Sequence, residues 1–569
     1  MKRIKLLLLG ATALSTMSLC AQDWAGMPVP ADAGSGNTWR LQQEVSDDFN
    51  YVFEPSNSPN GTYFGDNNKW FNFYHNRWDG PGTTYWKFDH VSVDDGNLEL
   101  RSSRWDKQNQ TNPPYPYPGA TEEYKMGRPN NGVNAGCITS GNKVQYPVYV
   151  ESAISVINSE LASCFWLLSR DDTQEIDIIE NYGGVPWFKQ FTHISHHSFI
   201  RSPFHDYQPR DVHSWWPDSR VNGAYGWGDW AWNNGNRRYL ILGVYWISPN
   251  HFEYYIDGEL VRVMYHNAIA TKYNGTWQYI YYNNTYAPGT VIGGNNVGGQ
   301  PTSTGGYTDY TTYTSGSTYS FATLQAASTA SNGINVIDPG SYQGGTGFTK
   351  EMDIIINVES QSWLVAGGHT PSDATLANDA KNRMLVDWVR VYKPIDNASY
   401  VALTGVSITE QQVDISVGQN STLTTSVSPN NATDDYIIYY SSDPSTVRVD
   451  QNGVVYGISN GTATITATSI DGNFTDTVTV NVSGTASTPE YENAKFQIWP
   501  NPANDQITIS LEGGIANDAK VNIYNTTGAL VAKQALESQV IDISYLAQGT
   551  YIIQISSDNK LYTNRFIKQ

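Results

Sequence analysis

The chain has 569 residues, long enough for two to four domains. Its 34 basic and 54 acidic residues leave a formal net charge of −20, which argues against nucleic acid or an anionic membrane surface as partner, since both need a cationic face. Charged residues make up 15% and aromatics 13%, with 18 Trp, 38 Tyr and 49 Gly, so a coiled coil, a helical bundle and a disordered acidic chain are excluded.

In chain order, Lys2, Arg3 and Lys5 precede the apolar run Leu6 to Leu9, and small residues lead to Ala21. This pattern predicts a signal peptide over residues 1–21 and an exported protein. Cys20 lacks the neighbours of a lipid-attachment site. The longest later apolar stretch, Tyr239 to Ile247, is too short to span a bilayer, which takes about 20 residues. Cys137 and Cys164 then remain as a disulfide or as two buried thiols, and no Cys spacing suits a structural zinc.

From residue 22 to about 395 the sequence is rich in Trp and Tyr, with short alternating runs such as Val148 to Ile154 between turn residues. Only Ser372 to Lys381 suggests a helix. The expected fold is a β-sandwich or jelly roll. Residues 401–483 lose the tryptophans and carry period-two runs (Val413-Asp414-Ile415, Thr464-Ile465-Thr466, Val478-Thr479-Val480), as a small Ig-like sandwich would. A linker, Gly484 to Glu490, leads to a last block over 494–569 with Trp499-Pro500-Asn501-Pro502, Gly549-Thr550-Tyr551 and a basic tail.

The strongest chemical signal is Gln174-Glu175-Ile176-Asp177-Ile178-Ile179-Glu180-Asn181-Tyr182-Gly183. Strand alternation puts Glu175 and Asp177 on one face and Ile176 and Ile178 on the other. Unbroken alternation would bury Glu180 among the isoleucines, at a cost of several kcal/mol. One extra residue at Ile178-Ile179, a β-bulge, would return Glu180 to the acidic face. Carboxylates that close raise at least one another's pKa, as two-carboxylate glycoside hydrolysis requires. A solvated strand face and a three-acid Ca²⁺ site are the alternatives on spacing alone.

The run Glu175-Ile176-Asp177-Ile178-Ile179-Glu180 resembles the active-site signature of glycoside hydrolase family 16 in its bulged form. That resemblance implies an all-β chain: a catalytic β-jelly-roll sandwich with an open cleft, with Glu175 as nucleophile, Asp177 as the helper that orients it and balances charge, and Glu180 as acid/base of a retaining endo-hydrolase. Trp78-Asp79-Gly80-Pro81-Gly82, Phe165-Trp166-Leu167-Leu168-Ser169, Tyr182-Gly183-Gly184, His196-His197-Ser198-Phe199-Ile200-Arg201 and the Val386 to Tyr392 strand resemble its agar-degrading branch. The implied function is a β-agarase cutting β-1,4 linkages to neoagaro-oligosaccharides, with the β-porphyranases, which cut sulfated agar, as runner-up. By the same resemblance Trp78, Trp166, Arg201 and Glu359 contact the sugar, although Trp166 could equally be core. His193, His196 and His197 suit cleft hydrogen bonding or core roles, and His196 is the one carried as a substrate ligand. No cofactor is expected for catalysis. A structural Ca²⁺ is implied, with Asp48 and Asp387 as candidate ligands.

The stretch from Val447 to Ile465 resembles bacterial Ig-like modules of the second group, and residues 494–569 resemble the type IX secretion C-terminal sorting domain, a small β-sandwich. These imply a secreted or outer-surface location, with the type IX machinery and an agar-type galactan as partners, no nucleic acid, no membrane span, and a monomer. A segment of about 268–350, poor in charge and rich in Tyr, departs from the family pattern and is expected either to wall the cleft or to pack outside as an extra hairpin. Trp215, Trp216, Trp227, Trp230 and Trp232 are a second aromatic group expected near the cleft. The competing class is a non-catalytic polysaccharide-binding surface protein, against which the three intact carboxylates count.

Overall fold

The computed structural model describes residues 24, 26–55, 61–105, 132–202, 204–207, 214–283, 291–292, 295–296, 310–338, 340–450, 452–484, 496–511, 520–525, 530–535, 539–557 and 560–569. The predicted leader and most of the predicted linker lie outside them. No described helix is long and apolar enough to cross a membrane. Two compact units are present: Met1–Val406 with Ser426–Ile438 and Thr468–Thr475, and Ser407–Thr425, Tyr439–Ala467 and Asp476–Gln569.

The first unit is a sandwich of two mainly antiparallel sheets, the larger carrying one parallel pair, Thr84–Trp86 with Val133–Ala135. Five strands carry the cleft: β1 (Cys137–Val144), β2 (Ala162–Ser169), β3 (Gln174–Asn181), β4 (Phe191–Arg201) and β5 (Met352–Glu359). Their order in the sheet is β4-β3-β2-β5-β1, with Phe204–Tyr207 beyond β4 and Trp70–Phe71 beyond β1. One face of these strands is apolar: Phe165, Leu167, Ile176, Ile194 and Ile356 are fully buried against Val150, Leu242 and Val244 of the second, 13-stranded sheet. The opposite face forms the concave wall. Burial of alternate apolar side chains on both inner faces is what holds such a sandwich together.

The 268–350 segment divides: its last residues bond to the cleft-side strands, with Gln343 Nε2 donating to Thr173 O and Phe199 O, whereas its earlier described strands and helix lie elsewhere. Ala268–Tyr273, Thr276–Tyr282 and Tyr310–Gly316 extend the second sheet, the one away from the cleft, and the helix Phe321–Ala330 buries Leu324 and Ala327 on Trp277 and Tyr279. The expectation of a cleft wall is therefore corrected for these residues: the alternating apolar side chains pair with a sheet edge, because that edge offers both hydrogen bonds and an apolar face. Residues 284–290, 293–294, 297–309 and 339 lie outside the described set. The helix suggested over Ser372 to Lys381 is one turn, Asp373–Leu376, capped by Ser372.

In the second unit Gln412–Ser416 runs parallel to Thr475–Ser483, and Asn420–Thr422, Val454–Gly457 and Val447–Val449 form a facing three-stranded sheet. At the C-terminus Lys520–Asn525, Gly549–Ser557 and Lys560–Lys568 pair in order around a core that includes Ile507, Ile523, Ile553 and Phe566.

Cys137 and Cys164 are buried free thiols. Both are in register with Asn357, from opposite sides: Cys164 on β2 and Cys137 on β1 flank it on β5. Two strand spacings put their Cα atoms about 9.5 Å apart, beyond the roughly 7 Å limit for a disulfide. Unfolding without reductant and alkylating should therefore label both thiols, and an unlabelled pair detected by mass spectrometry would contradict this geometry.

Candidate active site

The bulge expected on β3 is present. The β3–β4 register jumps between Asp177 and Glu180, and on the other side Phe165 pairs with Ile179 while Trp166 pairs with Asp177, so Ile178 is the extra residue. Ile176, Ile178 and Ile179 are buried in the core, and Glu175, Asp177 and Glu180 all line one cleft of about 580 Å³.

Alternation along β4 decides which histidines join them. His193, Ser195, His197, Phe199 and Arg201 face the cleft, whereas Ile194, His196 and Ser198 face inward. His196 is fully buried, pairs across with Ile176, bonds the Tyr254 hydroxyl and stacks on Phe348, and burial pushes its pKa well below the ordinary imidazole value. Its expected role as a sugar ligand is thus corrected: it is a core residue. The cleft histidines are His193 and His197, and counting by twos from the register of β3 would have found them.

Each carboxylate has its own partners. Asp177 accepts a hydrogen bond from Ser195 Oγ at 2.6 Å. His197 Nε2 lies 3.3 Å from Asp177 Oδ2 and 3.7 Å from Glu175 Oε1, while its Nδ1 contacts Asp206 Oδ1 at 2.8 Å. Glu180 contacts His193 Nδ1 at 2.8 Å and accepts from Tyr182 Oη and Gln361 Nε2, both at 3.0 Å. His193 stacks on Trp215, ring centroids 4.1 Å apart.

These surroundings separate the proton affinities. Burial, then the negative charge of Asp177, pushes Glu175 well above the usual carboxylate range, against the pull of His197. Burial and the Glu180 charge raise Asp177 too. Burial also works to raise Glu180, but the His193 hydrogen bond and charge and the Tyr182 hydroxyl outweigh it and hold the carboxyl below its ordinary value. His197 is raised well above the ordinary imidazole value: Asp206, Glu175 and Asp177 overcome the desolvation of its ring. Glu359 is pushed up to about 8 by burial and by the charge of Glu180, although Asn357 Nδ2 donates to it at 2.8 Å and Gln361 Nε2 bonds its other oxygen.

Of the expected sugar contacts, Trp78, Trp166, Arg201 and Glu359 line the cleft. Trp166 is only 8% exposed and donates Nε1–H to Asn357 Oδ1 at 2.6 Å, so it is a floor plane more than a free platform. The Arg201 guanidinium lies over the Phe199 and Phe204 rings, 4.8 and 5.7 Å from their centroids. The second tryptophan group divides: Trp215 lines the cleft, Trp216 and Trp227 are buried. Tyr182, Phe188 and Trp363 complete an aromatic rim on the Glu180 side, with Trp363 42% exposed and its ring 4.9 Å from that of Phe188. Phe188 and Gln361 carry no spacing signal in the sequence; only the folded strands bring them in.

Asp48 and Asp387 sit outside the cleft. Burial and the charge of Asp48 push the Asp387 carboxyl to about 6, a repulsion that a hard, oxygen-liganded cation would relieve. Among the described residues no third His, Cys, Asp or Glu groups with them; the groups of three that could hold an ion, Cys164-Glu180-Glu359 and Glu175-Asp177-His197, are in the cleft itself.

A jelly-roll sandwich with a bulged three-carboxylate strand under an aromatic cleft is the frame of a glycoside hydrolase. The sequence profile for the β-porphyranase A–D GH16 domain matches residues 39–310, that for group 2 bacterial Ig-like domains residues 402–480, and that for the secretion system C-terminal sorting domain residues 497–569. Beta-agarase D of Zobellia galactanivorans is 36% identical across 98% of this chain and 97% of its own length, and the beta-agarase of Phocaeicola plebeius is 36% identical across 67% of this chain and 93% of its own. The crystal structure of the catalytic domain of Z. galactanivorans beta-agarase D is 41% identical, covers 66% of this chain and 100% of that domain, and superimposes with a TM-score of 0.52. The chain belongs to glycoside hydrolase family 16, in its agarase and porphyranase group, and it is a secreted or cell-surface enzyme with an Ig-like module and a sorting domain.

Deleting Ile178 removes the bulge and shortens the path from Asp177 to Glu180 by one residue, about 3.3 Å, while unbroken alternation keeps Glu180 on the cleft face with Glu175 and Asp177. The expected result is a folded enzyme whose hydrolysis is reduced but not abolished, because Glu180 stays in the cleft but is displaced along the strand, with a melting temperature lower by a few degrees, read by calorimetry, from the lost burial of the Ile178 side chain.

Proposed function

We propose that this enzyme is a retaining endo-β-galactanase of the agarase type, which cuts β-1,4 linkages of agarose to neoagaro-oligosaccharides. The observation that carries the reading is the bulged strand: it presents Glu175, Asp177 and Glu180 together on the floor of an aromatic cleft. Glu175 attacks the anomeric carbon while Glu180 protonates the leaving oxygen; Glu180 then takes a proton from the water that releases the glycosyl group from Glu175. Asp177, held by Ser195, keeps the nucleophile oriented.

The resting proton balance favours Glu175 over Glu180, the reverse of what the first step needs. Docking of the glycosidic oxygen on Glu180 Oε1 corrects it, because that oxygen competes with the Tyr182 and Gln361 donors that hold the carboxyl ionised. On the other side the His197 imidazole, between Glu175 and Asp177, favours an ionised Glu175 when the proton rests on Asp177. In the second step a low proton affinity at Glu180 no longer hinders, since a general base begins as the carboxylate.

Charge favours the neutral galactan. Glu175, Asp177, Glu180, Asp206 and Glu359 line the cleft, and Arg201 is the one Lys or Arg among its described lining residues. Sulfated porphyran is the second reading, supported by the half-exposed Arg201 guanidinium, a group that can grip a sulfate. A structural Ca²⁺, if bound, would be held by Asp48 and Asp387 and would serve the sandwich, not the chemistry.

Paired digestion of agarose and porphyran tests the reading. Even-numbered neoagaro-oligosaccharides from agarose are expected, with Glu175→Gln lowering kcat at least about 10⁴-fold. Sulfated fragments from porphyran alone would transfer the enzyme to the second reading.

A second test concerns the acid. As general acid Glu180 sets the alkaline limb of the kcat/KM profile, and His193 holds its proton affinity down. His193→Phe keeps the stack on Trp215 but removes the hydrogen bond, so that limb should move about one pH unit upward, one unit corresponding to roughly 1.4 kcal/mol. A limb that stays in place would show that Glu180 is not the group titrating.

A further inference from the structure

Behind the cleft wall, apart from the three carboxylates of β3, lies a charged knot built on His75, Asp172 and Asp353. His75 has no exposed side-chain surface, and each of its ring nitrogens meets a different carboxylate: Nε2 is 2.7 Å from Asp172 Oδ1 and Nδ1 is 2.8 Å from Asp353 Oδ2. A neutral imidazole has one N–H, so one of the two contacts would set a lone pair against a carboxylate oxygen. With both carboxyls ionised, both contacts are hydrogen bonds only when the ring is an imidazolium.

Asp172 is the hub of the knot. It occupies the turn between β2 and β3 with φ of 54°, and its second oxygen accepts from Asn76 Nδ2 at 2.8 Å and lies 3.6 Å from Arg201 Nη2. Asn76 Oδ1 in turn accepts from the Trp78 backbone N–H at 3.0 Å. Tyr74, at the start of the same loop, packs edge-on against Trp78, ring centroids 5.7 Å apart, and stacks on Trp166 at 6.0 Å. The loop that carries Trp78 and the strand end that carries Arg201 are thus fastened to one carboxylate, and that carboxylate to His75. Asp353, on β5, anchors the other side.

We propose that His75 is a positioning residue of the cleft: as an imidazolium clamped between Asp172 and Asp353 it fixes the Trp78 loop and the Arg201 guanidinium where they grip the sugar chain, and release of its proton loosens that grip. The proposal rests on the reading of Trp78 and Arg201 as sugar contacts. The remaining groups that face the clamp do not replace the lost proton. Arg170 reaches Asp353 at 3.2 Å from a largely exposed position; Arg201 is the group being held; the Tyr74 hydroxyl stays protonated, its pKa raised well above the ordinary value by burial and by Asp172; the neighbouring Asp171 is occupied by Lys350.

The pH sense follows from the pair of carboxylates. Burial of the ring works to lower the His75 proton affinity, but the hydrogen bonds and charges of Asp172 and Asp353 outweigh it and raise the value above 6.5. The clamp is therefore complete below pH 6.5, and it is lost as pH climbs through the raised value of the folded protein.

The experiment measures kcat and KM on a soluble agaro-oligosaccharide from pH 5 to 9 for the wild type, His75→Gln and Asp172→Asn, with melting temperatures across the same range. Wild-type KM is expected to rise about tenfold toward alkaline pH while kcat at each pH stays within about twofold of the variants'. Both variants should show the high KM already at pH 6, and His75→Gln should lack the alkaline loss of melting temperature. Should His75→Gln fold poorly, Asp172→Asn carries the test, since it keeps the His75–Asp353 contact. Superimposable KM profiles for wild type and variants, or a loss confined to kcat, overturn the clamp. A wild type that neither cleaves nor binds the oligosaccharide overturns the functional reading instead, and the clamp's role in sugar binding falls with it.

Discussion

Everything at the cleft depends on keeping carboxylates ionisable in a wall only one strand thick from an apolar core. Each of Glu175, Asp177, Glu180 and Glu359 loses most of its water, and desolvation is the largest influence on all four. The fold answers unequally. Glu180 receives an imidazole, a phenol and an amide; Glu359 receives two amides and stays proton-rich at about 8. Inequality is the useful outcome, because four equal carboxylates could not divide the roles of nucleophile, acid and orienting group.

Geometry precedes that electrostatic division, and it reduces to strand parity. The bulge takes up one extra residue, Ile178, and so keeps the apolar side chains of β3 inward and its acids outward. The neighbouring β4 has no bulge opposite, so its odd-numbered residues meet the acids in strict alternation. His193 therefore falls beside Glu180 and His197 beside Asp177 and Glu175.

Much of this was legible in the chain itself. The acid spacing, together with the penalty for burying Glu180, by itself requires the bulge. Where the structure differs from what the sequence predicts, long-range pairing is the reason. His196 and His197 are chemically alike, and choosing between them needs the register of β4 against β3, which local pattern does not contain. The alternating strands of the 268–350 segment show that they pair, not which sheet receives them. Cys137 and Cys164 look like a possible disulfide until Asn357 is found between them. The His75 knot joins residues 75, 172 and 353, nearly the span of the domain, and no window of sequence could have shown it.

The charge pattern also bears on which galactan the cleft tolerates. A sulfate ester about 6 Å from one ionised carboxylate, at an effective dielectric near 20, is opposed by roughly 3 kcal/mol. That is more than a hundredfold in affinity. Arg201 can offset one such encounter, but its guanidinium already faces Asp172 at 3.6 Å and lies over two phenylalanine rings, so a sulfate would have to draw it away from both. On the proposed reading a neutral chain would meet no such opposition: its C–H faces would pack on Trp78, Trp215 and Trp363, which line the cleft, and its hydroxyls would find donors and acceptors already ordered along the wall. On that reading the same acids that serve hydrolysis would also filter the substrate, and the filter would weaken wherever a carboxyl holds its proton, as at Glu359, whose pKa is pushed up to about 8.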